Sequence, residues 1–216
     1  MRVAKIEARD LGEAQFKALR EILYHGYEYE IDWGSFKGHK RRELDFFFCE
    51  IKHPINRPLI MTVPDGVPAQ CSIEYVENDY MRYLVSSNKA AGEEYTYGES
   101  IERQLFTIVE KLKTRGFNSN QTYCTVGTLE SVNMDDPECL RGIDIRVRYG
   151  AVHFYVYFRS WDAWAGFPAN LAAIQLLKEW VATELNVLDG KLIVASKGLH
   201  LYDYQYEIAK AAVGLL

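Results

Sequence analysis

The chain of 216 residues is poor in cysteine and histidine, and neither residue is patterned. Cys49, Cys71, Cys124 and Cys139 stand apart without CxxC spacing, which argues against a zinc ribbon or a dithiol redox site and makes reduced thiols the natural state. His25, His39, His53, His153 and His200 form neither HxH nor HExxH, so no metal centre is expected. No apolar run reaches the roughly 18–20 residues of a bilayer span, and MRVAKIEARD at the amino end lacks the apolar stretch of a secretory signal. A cytoplasmic protein without membrane contact is the expectation. Basic charge is not in excess either: a net charge of −5 argues against an extended nucleic-acid surface but leaves room for a small anion held by a few local cations.

What is present describes a globular chain. Hydrophobic residues make up 48% and charged residues 25%, ordinary values for a soluble fold. The length suits one large core better than two small ones. With no internal repeat and no shift in composition, residues 1–216 are expected to form a single domain.

Val3–Ala8 reads as a strand. Asp10 and Glu13 suggest a capping box opening a helix to about Tyr24, ended by Gly26. Lys40, Arg41 and Arg42 fall on an expected loop before a buried strand, Leu44–Lys52. Clustered prolines make residues 54–66 irregular, and Ile73–Val85 reads as helical. The spacing of Ile101, Leu105, Ile108, Val109 and Leu112 predicts a helix over Glu99–Arg115, capped by Gly116. Strands are expected at Thr122–Leu129, Ile143–Tyr149 and Val152–Arg159, the last two forming a hairpin through Gly150. ANLAAIQLLKEWVATEL after Pro168 is apolar nearly all round and reads as a buried helix. Strands Lys191–Ala195 and His200–Tyr206 precede a short terminal helix. The expected class is α/β of the α+β kind, a mixed sheet flanked by helices.

The segment FRSWDAWAGFPANL at Phe158–Leu171 concentrates Arg159, Ser160, Asp162 and Asn170 among aromatics at a strand end and helix start. A guanidinium fork suits phosphate, a hydroxyl adds to it, and an amide donates and accepts at once, as a pyrimidine edge demands. Gly166 and Pro168 shape a turn that lets backbone approach a ligand. A structural role suits the same residues: Arg159 and Asp162 pairing or capping, Asn170 satisfying backbone groups, and Trp161, Trp164 and Phe167 packing the core.

Arg159-Ser160-x-Asp162 followed by Gly166-x-Pro168-x-Asn170 resembles the signature of the thymidylate synthase and pyrimidine hydroxymethylase family. Reading without a gap, the family's nucleophilic cysteine falls on Cys139 in DDPECLR and its His-x-Tyr pair on His200 and Tyr202 in KGLHLYDY. The resemblance is firm over about Tyr95–Tyr206. It implies that the Cys139 thiolate adds to carbon 6 of a pyrimidine nucleotide, turning carbon 5 into a carbon nucleophile. It implies phosphate contacts from Arg159, Ser160 and Arg41 (or Arg42), base contacts from Asn170 and Gly166, a sugar contact from His200 and Tyr202, and a pterin contact from Asp162. Tyr97 is implied beside the base, and a catalytic glutamate at Glu77 in preference to Glu74. A neighbouring cation, with Arg159 foremost, is expected to favour the thiolate.

The resemblance further implies a thymidylate synthase-like fold, a homodimer packed through a sheet face, and a reduced folate, 5,10-methylenetetrahydrofolate, as cosubstrate. The expected reaction is dUMP to dTMP, because an amide at position 170 suits uracil. The alternatives are hydroxymethylation of dCMP, CMP or UMP, and a nucleotide-binding module without catalysis. The chain departs from the familiar enzymes in four places. Asn120 and Gln121 replace a pair of cross-dimer arginines, Phe158 replaces a glutamine, Gly198 replaces an aspartate, and only residues 203–216 follow Tyr202. These departures resemble the short archaeal-type enzymes, for which a tetrahydromethanopterin-type pterin is the implied donor.

Overall fold

The computed structural model describes residues 1–216. Strand β1 (Val3–Ala8) leads into helix α1 (Leu11–His25), and β2 (Tyr27–Glu30), β3 (Lys40–Leu44) and β4 (Phe46–Ile51) follow. A broken helix comes next: α2 (Ile73–Tyr75), a π-helical turn Val76–Tyr80 and α3 (Met81–Val85). Then come α4 (Gly98–Arg115), β5 (Tyr123–Thr125), β6 (Leu140–Arg148), β7 (Ala151–Phe158), β8 (Trp161–Asp162), α5 (Gly166–Leu185), β9 (Leu188–Ser196), β10 (Leu199–Tyr202) and α6 (Tyr206–Ala212).

Two mixed sheets result. The larger runs β1-β4-β9-β7-β6-β5 and the smaller β2-β3-β10-β8. One face of the larger sheet is covered by α1, α4 and α5, with α5 packing on both of the others. A continuous cluster of 51 buried residues fills that layer. Helix α5 is buried nearly all round, as its sequence requires, with Leu171, Ile174 and Val181 fully enclosed; each such side chain contributes about 1.5–3 kcal/mol of burial. Its buried Lys178 is satisfied locally, donating to Asp189 at 2.7 Å and to the Gly190 carbonyl at 2.7 Å.

The other face of the larger sheet carries no helix. Strand pairing lines up Lys5, Phe48, Ala195 and Tyr157 in one row across it, and Glu7, Glu50, Ile193, Tyr155, Asp144 and Tyr123 in the next. These side chains are exposed or half-buried, whereas their alternate neighbours Phe47, Cys49, Leu192, Phe154 and Val156 are buried.

Four expectations are corrected. The run Lys40–Arg42 lies on β3 and not on a loop, because its charges are answered from neighbouring strands: Arg42 meets Glu28 at 2.8 Å, and Arg41 donates to Tyr202 Oη at 3.1 Å. The strand expected from Leu44 to Lys52 is divided at Asp45, where the chain passes from one sheet to the other. The Asp45 carboxylate pins this corner by accepting from the Arg2 amide at 2.6 Å. The stretch Thr122–Leu129 pairs only over β5, since Gly127 turns the chain with φ 86°. Strand β10 ends at Tyr202, where Gln205 Oε1 takes the Tyr202 amide at 2.9 Å and starts a 3-10 turn. The β6–β7 hairpin turns through Tyr149 (φ 55°) and Gly150 (φ 74°), the double positive-φ turn that matches strand twist.

Gly98 sets where α4 begins. A Cβ there would lie 2.2 Å from the Ser86 carbonyl oxygen at the end of α3, and backbone cannot rotate away as a side chain can. The contact also brings Tyr97 to Tyr83, their ring centres 5.0 Å apart. Gly98→Ala is therefore expected to lower stability by ~2 kcal/mol or more, read as a lower urea midpoint at unchanged slope.

Candidate active site

Cys139 ends the turn that enters β6, and the β6–β7 hairpin sets it opposite Arg159. The Arg159 amide donates to the Cys139 carbonyl at 2.8 Å. The guanidinium turns back onto the same turn: Nε donates to the carbonyls of Pro137 (3.1 Å) and Glu138 (3.2 Å), and Nη2 to Asp136 Oδ1 (3.0 Å) and the Pro137 carbonyl. From the other side the Leu140 amide donates to Tyr97 Oη at 3.4 Å. The thiol is thus held by its backbone neighbours while its side chain remains partly open to a cavity.

That cavity, of about 670 Å³, is lined by Cys139, Tyr97, Ser160, Asp162, Gly166 and Asn170 together with Tyr75, Tyr80, Tyr83 and Trp161. Six residues singled out from sequence therefore meet in one place. Asn170 is buried; its Oδ1 accepts from Trp161 Nε1 at 2.6 Å and its Nδ2 donates to Tyr80 Oη. A Cβ at Gly166 would meet Trp161, Asn170 and Asp162 at 3.6–3.8 Å, ordinary contact distances, and the glycine borders the cavity.

Asp162 takes the structural role. Its Oδ1 accepts from the Trp164 amide at 2.8 Å and the Ala165 amide at 3.0 Å, fixing the turn into α5, and Gln205 Nε2 donates to its Oδ2 at 3.0 Å. Its carboxylate still borders the cavity.

Arg41, His200 and Tyr202 form a second group on the smaller sheet, behind the cavity wall. Strand β10 pairs His200 with Asp162 of β8 and Tyr202 with Arg41 of β3. Burial lowers the His200 pKa to about 3, with Arg41 adding to the effect. The ring is therefore neutral; with Nδ1 donating to the Gly198 carbonyl at 2.9 Å, Nε2 is a bare acceptor. That atom is buried without a partner, as is Arg41 Nε, an arrangement that calls for a polar guest.

Glu77 does not join the site. It is exposed and outside the cavity, with its charge acting on Arg57, and Glu74 is exposed as well. The π-helical turn rotates this stretch so that Asp79 and Tyr80 reach the cavity instead. Glu93 also lines it but is held by Arg82 at 2.6 Å. Asn120 and Gln121 are exposed near β5, away from the cavity.

Two departures from the resembled pattern have local explanations. Phe158 is fully buried and stacks on Trp161 with ring centres 3.9 Å apart. Glu43 Oε2 lies 3.1 Å from the point where a Cβ of Gly198 would stand, so a carboxylate from β3 occupies the neighbourhood of the expected aspartate. Sequence reasoning missed Tyr80, Trp161 and Glu43 as site residues. The signal for Glu43 was its two-residue spacing from Arg41, legible once Lys40–Leu44 is taken as a strand.

The expectation that a cation favours the thiolate is corrected in its outcome. Burial pushes the Cys139 thiol up, and this outweighs Arg159 and Arg41, which pull it down; Asp136 and Glu138 push with the burial.

A sequence model described as thymidylate synthase matches residues 74–214. The chain belongs to the thymidylate synthase family. A protein of Methanosarcina acetivorans provisionally named thymidylate synthase is 27% identical over 214 residues, covering 96% of this chain and 94% of its own. A Methanopyrus kandleri protein named in the same way is 23% identical over 204 residues, with 92% of each chain covered. The solved thermostable thymidylate synthase A of Bacillus subtilis shares the fold with a TM-score of 0.73 and 15% identity, over 95% of this chain and 84% of that one. Membership places this member among one-carbon transferases that act at carbon 5 of a pyrimidine with a folate-type cosubstrate. No helix is long and apolar enough to cross a membrane.

The field around Cys139 is testable in the protein alone. Iodoacetamide is expected to label Cys139 slowly at neutral pH, the rate still climbing above pH ~9. Asp136→Asn removes a charge that disfavours the thiolate and is expected to speed neutral-pH labelling about two- to fivefold; Arg159→Gln is expected to slow it. Peptide mass spectrometry reads both, and an unchanged rate in Asp136→Asn contradicts the assignment.

Proposed function

We propose that this chain converts dUMP to dTMP, with Cys139 as the nucleophile and a reduced pterin, 5,10-methylenetetrahydrofolate or a tetrahydromethanopterin-type analogue, as the donor. The observation that carries this reading is that the Cys139 thiol and the Asn170 amide open onto one cavity, one able to attack a pyrimidine ring and the other able to hold its edge.

The Cys139 thiolate adds to carbon 6. The electron pair of the 5,6 double bond moves toward the carbon 4 carbonyl, and negative charge gathers on its oxygen. An N–H of Asn170 donates to that oxygen as the charge develops, the point at which a fixed dipole lowers the barrier most. The pterin supplies the methylene carbon that carbon 5 captures. Loss of the carbon 5 proton frees that carbon from the pterin nitrogen, hydride from the same pterin completes the methyl group, and the Cys139 thiolate leaves carbon 6 as the 5,6 double bond re-forms. Proton movement at carbon 5 falls to water held by Tyr97 and Asp79, the latter a lining carboxylate without a hydrogen bond or ion pair of its own. In this reading Ser160 and Arg159 receive the phosphate, Arg159 exchanging its contact with Asp136 for it, and Arg41 supports them. His200 Nε2 accepts from a sugar hydroxyl beside Tyr202, which answers the unpartnered nitrogen. The base lies against the Gly166 backbone, which borders the cavity, and Asp162 borders the pterin.

The bare sheet face supports a homodimer. Phe48, Ile193, Tyr155 and Tyr157 are apolar or aromatic, and the charges around them, Lys5, Lys191, Glu7 and Glu50, are of both signs, as a two-fold interface requires.

Wild-type protein is expected to release tritium from carbon 5 of labelled dUMP into water, to oxidise the reduced pterin in a spectrophotometric assay, and to sediment as a dimer at micromolar concentration. Cys139→Ala is expected to lower tritium release to background while still binding dUMP. Equal release by parent and variant rules out thiolate catalysis; hydroxymethylated product without oxidised pterin rules out methylation.

A further inference from the structure

We infer that Trp161, which need not touch the substrate, fixes the sense in which Asn170 presents its amide and thereby sets uracil above cytosine. The inference rests on the proposed nucleotide reading of the cavity and deepens it.

An asparagine amide is nearly symmetric in shape and opposite in chemistry at its two ends. Turned one way it offers an acceptor and a donor that match the ring N–H and carbonyl of uracil. Turned over, it matches the bare nitrogen and amino group of cytosine. An unanchored amide at this position reads both bases. Here Trp161 Nε1 lies 2.6 Å from Asn170 Oδ1. An indole nitrogen only donates, so the atom facing it must be the oxygen; the flipped amide would set two N–H groups against each other in a buried place. Trp161 is itself immobile, being 2% exposed, stacked on Phe158 and met edge-on by Phe167.

At the other end Asn170 Nδ2 donates to Tyr80 Oη, which the π-helical turn brings inward. A phenol both donates and accepts, so Tyr80 holds the amide in place without choosing its sense. With one lone pair given to Trp161 and one N–H to Tyr80, Asn170 keeps one lone pair and one N–H. Those are an acceptor for the N3–H of uracil and a donor for its O4. Trp161 is a positioning residue, and its contribution is to specificity.

The test compares binding of dUMP and dCMP by calorimetric titration in wild type, Trp161→Phe and Tyr80→Phe. Wild type is expected to favour dUMP. Trp161→Phe keeps an aromatic ring and loses the N–H, and the ratio of dUMP to dCMP affinity is expected to fall tenfold or more, with dCMP binding gained in absolute terms. Tyr80→Phe is expected to weaken both nucleotides alike, leaving the ratio within about twofold. A purely structural role for Trp161 would lower both affinities in parallel and leave its ratio unmoved. Should Trp161→Phe fail to fold, 3-benzothienylalanine at position 161 keeps the bicyclic ring without the N–H, and the same fall is expected. A wild type that prefers dUMP with an unmoved ratio in the ring variant overturns the inference alone, whereas a wild type that prefers dCMP overturns the dUMP reading with it. A wild type that binds neither nucleotide overturns the proposed function with it.

Discussion

Everything at the cavity hangs on the join between Cys139 and Arg159 at the open end of the β6–β7 hairpin. Cross-strand pairing brings the two together, and the main-chain bond between them is an extension of the sheet ladder. The arginine then spends most of its donors on the carbonyls and carboxylate of residues 136–138. A turn of three acidic residues and a proline would otherwise be free to splay away from the strand. Held this way, it presents a thiol at a defined position, and the same cation moderates the burial that keeps the thiol protonated. One side chain therefore positions the thiol and eases the burial that dominates its reactivity.

The polar groups around the cavity obey the usual accounting for buried donors and acceptors, and the exceptions are informative. Asn170, Asp162 and Tyr97 are satisfied by protein groups. His200 Nε2 and Arg41 Nε are not, and an orphaned buried atom costs about 1–3 kcal/mol. A fold tolerates that cost where a guest removes it. Groups whose orientation is settled in advance line the cavity, and unpartnered groups stand behind its wall on the smaller sheet.

Much of this was legible in the sequence, and the rest fails for identifiable reasons. Helices α1, α4 and α5 and the β6–β7 hairpin follow from local periodicity and turn chemistry, and Cys139, Asn170, Ser160 and Gly166 follow from motif spacing. Strand β3 was hidden because charge looks like solvent exposure when the answering residues, Glu28 and Tyr202, come from distant parts of the chain. Glu77 was implied by the resemblance alone, and a π turn, which leaves no composition signature, sets Asp79 and Tyr80 at the cavity in its place. Trp161 read as core, and it is core; its second role depends on which atom its nitrogen meets.

The corner at Asp45 has a bearing on how this chain can change in length. One residue separates β3, which carries Arg41 and Glu43 on one face, from β4, which buries Phe47 in the main core. Side chains alternate along a strand, so one added or deleted residue there would turn either the pair or the core phenylalanine to the wrong side. Long loops elsewhere absorb insertions at small cost. This corner cannot, so its length is fixed by both sheets at once.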